Sequence, residues 1–354
     1  MIERHDLRAA VAAGILDEGQ AVALSSLADS RRGARENLAP GDEPFELFRG
    51  FNEIFIVVGL VILATGWVAV AAVAATTQIT DVFDMIVTRS MIGAVILWLL
   101  AEYFVRRRRM VAPAIALTVL FALNASAGFN AEFVQPFLLL QRDVSSLPLP
   151  FVLTTVAVFV FWLRFKVPIA LAIIALGLFA AAVLFSASGG ERPETLTDFF
   201  RLSAESGFAW LTLALGIGTF IVAMCYDMSD PHRVTRRATN GFWLHIIAAP
   251  ALVNTIAVSL LTSDTSASLG LLLAFLALIA AVAIIIDRRS FLITGVGYVV
   301  MVRATLDDLT EVAVTILALG LVLLCLGAFW ERIRAVLLRA FAPLLPLTRL
   351  PPAS

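Results

Sequence analysis

Ten apolar stretches between Ile54 and Trp330 constrain this chain more than anything else in it, because each approaches the length that a hydrocarbon core demands. A bilayer core is about 30 Å thick and a helix rises about 1.5 Å per residue, so a spanning helix needs about 20 apolar residues. Where water is absent, only helices and closed barrels satisfy every backbone group. Ile54 to Ala75 carries no charge and one hydroxyl, Thr65, and is the clearest span. The others are expected at Ile86–Val105, Met110–Gly128, Pro148–Leu163, Val167–Ser186, Gly207–Tyr226, Gly241–Leu261, Leu269–Ile286, Phe291–Ala304 and Leu309–Trp330. The expected fold class is therefore all-α: a polytopic bundle of about ten transmembrane helices over residues 54–330. Residues 133–140 read as loop, or else as a re-entrant or surface helix.

A composition of 60% hydrophobic and 15% charged residues, with a mean hydropathy of +0.93, excludes a soluble domain of this length. The net charge of −1 argues against a nucleic-acid partner, but it conceals a steep asymmetry along the chain. All of the 26 basic residues except Arg89, Arg142, Arg192, Arg201 and Arg303 fall before the first span or after an even-numbered one. Basic residues accumulate on the cytoplasmic side, so both termini are expected there. The polar first 50 residues have no cleavable signal pattern, which makes the first span an expected uncleaved anchor.

Four regions follow. Residues 1–44 read as a cytoplasmic helical hairpin and linker, with Leu7, Ala10 and Val11 on one face, Gly14 as a stop, and Asp17 with Gln20 as a capping-box variant opening the second helix. Phe45, Phe48 and Phe51 suggest an interfacial helix over 45–53. The bundle occupies 54–330, and 331–354 reads as a cytoplasmic amphipathic tail. Anionic lipid is an expected partner at Arg106–Arg109 and Arg332–Arg339, and a protein partner at residues 1–30.

Ten spans divide into two fives, and an odd repeat length would invert the second half, so a 5+5 inverted repeat is an expectation. Its one local support is Ile173–Leu178 against Ile316–Leu321. Gly216 and Gly218 in the sixth span, and Gly295 and Gly297 in the ninth, permit close helix approach or a break.

Polar groups at bilayer depth are costly and mark function when truly deep. Glu53, Glu102, Asp227 and Asp287 sit at cytoplasmic span ends, where snorkelling and headgroup pairing account for them. The seventh span carries His245, Pro250 and Asn254, and the proline frees the Ile246 carbonyl. Together with Asn124, Tyr298 and Arg303 these form a candidate polar pathway, against which stands helix packing through interhelical hydrogen bonds. Cys225 and Cys325 read as small buried hydrophobes. The sequence has no GxxxxGK[ST], HExxH or GxSxG, and its three histidines are scattered, so no catalytic residue, metal ligand or cofactor is expected.

The set Phe45-Glu-Leu-Phe-Arg-Gly-Phe-Asn-Glu-Ile-Phe55, the run Phe242 to Pro250 and the exit Gly327-Ala-Phe-Trp-Glu-Arg-Ile-Arg334 resemble uncharacterised bacterial polytopic membrane proteins that carry a short N-terminal helical hairpin. The resemblance implies a bacterial inner membrane and brings no activity with it. Two functions remain open: a secondary transporter or channel-like protein for a small solute, and a non-catalytic scaffold or sensor that binds a partner through residues 1–30 and the basic loops. The first predicts a wet midplane cavity, the second a dry bundle.

Overall fold

The computed structural model describes residues 4–17, 19–21 with single positions up to 27, 51–77, 82–134, 144–188, 196–202, 207–233, 235–261, 268–289, 291, 309–343 and 345–351. Helices and turns account for all of them, with no strand among the described residues. Helix α1 is Arg4–Ala12, and the bundle follows as α2 (Phe51–Thr77), α3 (Val82–Ala101), α4 (Val111–Phe133), α5 (Pro148–Phe165), α6 (Ile169–Ser188), α7 (Phe208–Ser229), α8 (Arg236–Leu261), α9 (Ser268–Ile285) and α10 (Leu309–Ala340). Seven of these, α2 to α8, are long and apolar enough to cross a membrane among the described residues. The architecture is that of a helical, multi-pass membrane protein. The expected ninth span, with Tyr298 and Arg303, lies outside the described residues except for Phe291, as does most of 45–53. Phe51 to Glu53 are continuous with α2.

Near the N-terminus the turn chemistry follows the sequence. Gly14 has φ +70, and its N–H and that of Ile15 close on the carbonyls of Val11 and Ala10, the bonding pattern of a Schellman exit. Asp17 and Gln20 then bond reciprocally, Gln20 N–H to Asp17 Oδ1 at 2.6 Å and Asp17 N–H to Gln20 Oε1 at 3.1 Å.

The bundle is built from hairpins, α3 with α4, α5 with α6 and α7 with α8, each joined by a short turn at the arginine-rich end. Helix α4 also packs on α2 and α5, α8 on α6 and α9, and α9 on α10. Arg109, Lys166, Arg233 and Asp287, one in each turn at this end, share left-handed φ values of 51 to 55. A left-handed residue ends a helix in one step, and a non-glycine one costs about 1–2 kcal/mol, so each of these turns stores a small strain.

At the same end α3 continues as a π-helical turn, Glu102–Arg107. Glu102 accepts from Arg106 at 3.3 Å and from Arg164 at 2.7 Å, which ties the α3–α4 turn to α5. The core beneath is aromatic: Trp98 meets Phe121, Phe161 and Phe165 edge-on, with centroids 5.1 to 6.1 Å apart. Edge-on rings align a positive rim with a negative face, which adds about 0.5–1.5 kcal/mol per pair to burial.

Candidate functional site

The densest set of buried charges stands where α7, α8 and the turn after α9 converge. Asp227, His245 and Arg288 are 6%, 0% and 7% exposed. Arg288 Nε donates to Asp227 Oδ2 at 2.9 Å and its Nη2 to Asp227 Oδ1, a bidentate pair, while Nη2 also reaches the Ala238 carbonyl at 2.8 Å. His245 Nε2 lies 3.0 Å from Asp227 Oδ2. A carboxylate gripped by a permanent cation can only accept, so Nε2 carries the imidazole proton and donates it. The other ring nitrogen, Nδ1, is enclosed without a hydrogen-bond partner among the described residues, and Phe220 and Phe291 stand edge-on to the ring.

Local sequence explains how the two helices come so close. The Asp230 carboxylate accepts from the Thr235 N–H at 2.8 Å and from its hydroxyl at 2.9 Å, and Thr235 Oγ1 accepts from the Arg237 N–H, capping the start of α8. The hairpin folds about this turn and brings Gly241 opposite Asp227, where any Cβ would run into Asp227 Oδ1. A carboxylate can be buried here because glycine leaves the room for it.

A second layer lies beside the first. Arg233 donates to Asp287 Oδ2 at 2.8 Å and to the carbonyls of Asp287 and Ile286, and Trp330 Nε1 donates to Asp287 Oδ1 at 2.8 Å. Burial lowers the Arg233 pKa from its usual value and the neighbouring Arg288 charge adds to this, while Asp287 and Asp227 oppose it. The layers together join α7, α8, the α9 exit and α10.

Of the polar pathway residues, His245, Pro250 and Asn254 share α8, which runs unbroken through the proline. His245 is in the buried cluster and Asn254 is half-buried. Asn124 is engaged elsewhere, its amide donating to the Ser90 carbonyl of α3 at 2.8 Å. Tyr298 and Arg303 lie outside the described residues.

Three expectations are corrected. Asp227 does not face headgroups but is buried in an ion pair, and Asp287 is half-buried in the second layer. Glu53 is also buried, and its Oε2 accepts from the Ala112 N–H at 3.1 Å, at the first turn of α4. Cys225 and Cys325 are exposed rather than buried, each on the outer face of its helix.

At the opposite end an open groove of about 820 Å³ lies among α5, α6 and α7, lined by Val152, Ala181, Phe185, Trp210 and Leu211 among others. Among the described residues its lining is almost wholly apolar, with Ser186 its one hydroxyl. No group of metal-binding side chains is found among the described residues. No family model, no curated protein and no solved structure matches this chain, so its architecture and the Asp227 cluster carry the functional reading alone.

Proposed function

We propose that this is a bacterial inner-membrane protein of about ten spans with both termini cytoplasmic, and that it works as a non-catalytic scaffold or sensor. The observation that carries this reading is where the deep polar groups are spent. Thr118, Thr155, Thr212 and Thr255 donate to carbonyls one turn back in their own helices, at 2.6 to 2.9 Å. Asn124 closes on α3, and the charged cluster closes on itself. The threonines satisfy themselves within their helices, while Asn124 and the cluster cross between elements as packing groups do, which supports a bundle that spends its polar groups on structure.

The arginine-rich face is the working face in this reading. Its turns are cross-tied by Glu102, Asp227 and Asp287, which holds the ends of these helices in fixed register. Ile15, Leu24 and Leu27 are exposed apolar side chains in the N-terminal region and offer a protein partner something to cover. Arg108 over Tyr103 and Arg332 over Phe329 set cations at interfacial depth, in keeping with anionic lipid at Arg106–Arg109 and Arg332–Arg339. The recurring left-handed exits support an internal order of two-helix hairpins, set beside the 5+5 inverted repeat expected from span count.

Transport of a small solute is the second reading. It is favoured by His245, an enclosed imidazole with one nitrogen unpartnered among the described residues, on the helix that also carries Pro250 and Asn254. The two are separated by an impermeant maleimide applied to Asn254→Cys, with Cys225 and Cys325 replaced by serine, in vesicles of both orientations. Protection from both sides, with loss of partner binding on deleting residues 1–30, is the expected result. Labelling from either side would replace the scaffold with the conduit.

A further inference from the structure

Arg89 stands on α3 towards the end of the bundle opposite the arginine-rich turns. It is seven residues in from Val82, about 10 Å along the axis at 1.5 Å per residue, and so lies within a span. The neighbouring Ser90 and Gly93 are turned to α4, where the Asn124 amide bonds the Ser90 carbonyl and lies against Gly93. Arg89 sits at the edge of that contact, half-buried, and reaches sideways to α2. Its Nη2 donates to the Trp67 carbonyl at 2.9 Å, and its guanidinium lies over the indole, 5.6 Å from the ring centroid.

We propose that Arg89, backed by Trp67, binds the phosphate of a membrane lipid whose acyl chain runs between α2 and α3 toward the middle of the bilayer.

The charge on Arg89 is the first reason. Both of its partners are neutral, and among the described residues no carboxylate pairs with it. Asp84 is five positions earlier on α3, about 140° around the helix, and it is exposed, as is Glu132 at the same end of α4. A guanidinium carries five N–H donors, and one of them is spent on Trp67. A permanent cation at span depth is costly without a counter-charge, and lipid phosphate is the anion that a bilayer brings to this depth when it thins locally. The guanidinium fork matches phosphate two bonds at a time, and indole rings favour the same interfacial level.

The surface below Arg89 is the second reason. Helices α2 and α3 are the least enclosed of the seven spans, and they run antiparallel. From Arg89 toward the arginine-rich end, Ile92 and Ile96 follow on the same face of α3, and Leu63 lies one turn below Trp67 on α2. All three are exposed, so a chain hanging from a phosphate at Arg89 meets apolar side chains on both helices. The inference rests on the membrane-spanning architecture and not on the scaffold or sensor reading, so either can fail without the other.

The test is photocrosslinking of the full chain in nanodiscs of digalactosyl diacylglycerol, a lipid without phosphate. One preparation carries a small share of phosphatidylglycerol with a diazirine on its acyl chain, and the other a galactolipid probe with the same chain. Adducts within α2 and α3 are mapped by peptide mass spectrometry for the unaltered protein and for Arg89→Gln. Those near Arg106–Arg109 are counted separately, since these arginines lie at the other end of α3. The phospholipid probe should label Leu63 to Trp67 and Arg89 to Ile96 severalfold more than the galactolipid probe does, and unlabelled phosphatidylglycerol should compete it away. Arg89→Gln should bring phospholipid labelling down to the galactolipid level and leave galactolipid labelling unchanged. The comparison of the two probes in the unaltered protein stands even where the variant fails to fold. Equal labelling by the two probes, labelling indifferent to Arg89→Gln, or a fall for both probes in that variant would overturn the proposal. Displacement of the phospholipid by inorganic phosphate in the buffer would overturn it too, in favour of a free anion.

Discussion

Arg233 and Asp287 meet at 2.8 Å from two different turns, and both hold left-handed backbone, with φ of 53 and 55. Each residue ends its turn in a conformation that glycine would adopt at less cost, and each uses its side chain to reach the other. Asp287→Ala keeps the strain and loses the bonds to Arg233 and Trp330, so it should cost about 2 kcal/mol, and Asp287→Gly about 1 kcal/mol less than that. Thermal unfolding in detergent checks the order, and equal losses would remove backbone strain from the account.

Asp227 and Arg288 form the most deeply enclosed ion pair described here. Asp227→Asn and Arg288→Gln should each cost about 3–5 kcal/mol, because each strands a buried polar partner. Replacing both together with Leu and Met should recover a large part of that loss. The double-mutant cycle is the measurement, and additive losses would mean that the two side chains act independently.

Glycines on three helices give a contrast. Gly241→Ala sets a methyl against Asp227 and should be strongly destabilising, about 2 kcal/mol or more. Gly177→Ala drives a methyl into the Thr155 hydroxyl, and Thr155→Ala should restore it. Gly218→Ala meets open space on α7 and should be neutral or slightly stabilising, by up to about 1 kcal/mol. A scan of unfolding midpoints decides all three.

The thiols of Cys225 and Cys325 are exposed on the outside of their helices. Both should react with a maleimide in the folded protein in mild detergent, where water and reagent both reach the bundle surface, without denaturation. Labelling only after denaturation would return them to the core.

Seven of the ten expected spans were legible because their signal is length and polarity. Pro148–Phe165 and Arg236–Leu261 begin or end within a few residues of the expected bounds. The Gly14 exit and the Asp17–Gln20 box were legible too, since both are local chemistry. The partners of Asp227 were not. A carboxylate at a span end looks the same whether it meets a headgroup or an arginine 61 positions away, and position along a helix says nothing of the direction it faces. One signal was present: about the turn at Asp230 to Thr235, Gly241 falls opposite Asp227, and a glycine facing a carboxylate across a tight hairpin marks a place where that carboxylate is enclosed. The partner of Asn124 was not legible either, because an amide that bonds a neighbouring helix and one that lines a water path look the same in sequence.

The bond between Glu53 and the Ala112 amide bears on how the protein is made. The carboxylate belongs to the first span and its partner to the third, 59 residues later. At roughly 5–20 residues per second, a ribosome takes about 3–12 s to cover that distance. For that interval the first helix stands in or at the membrane with an acid whose eventual partner does not yet exist, so Glu53 holds it at the water boundary until α4 arrives. The first span is thus anchored early and seated late, and its final depth is a property of the nascent pair.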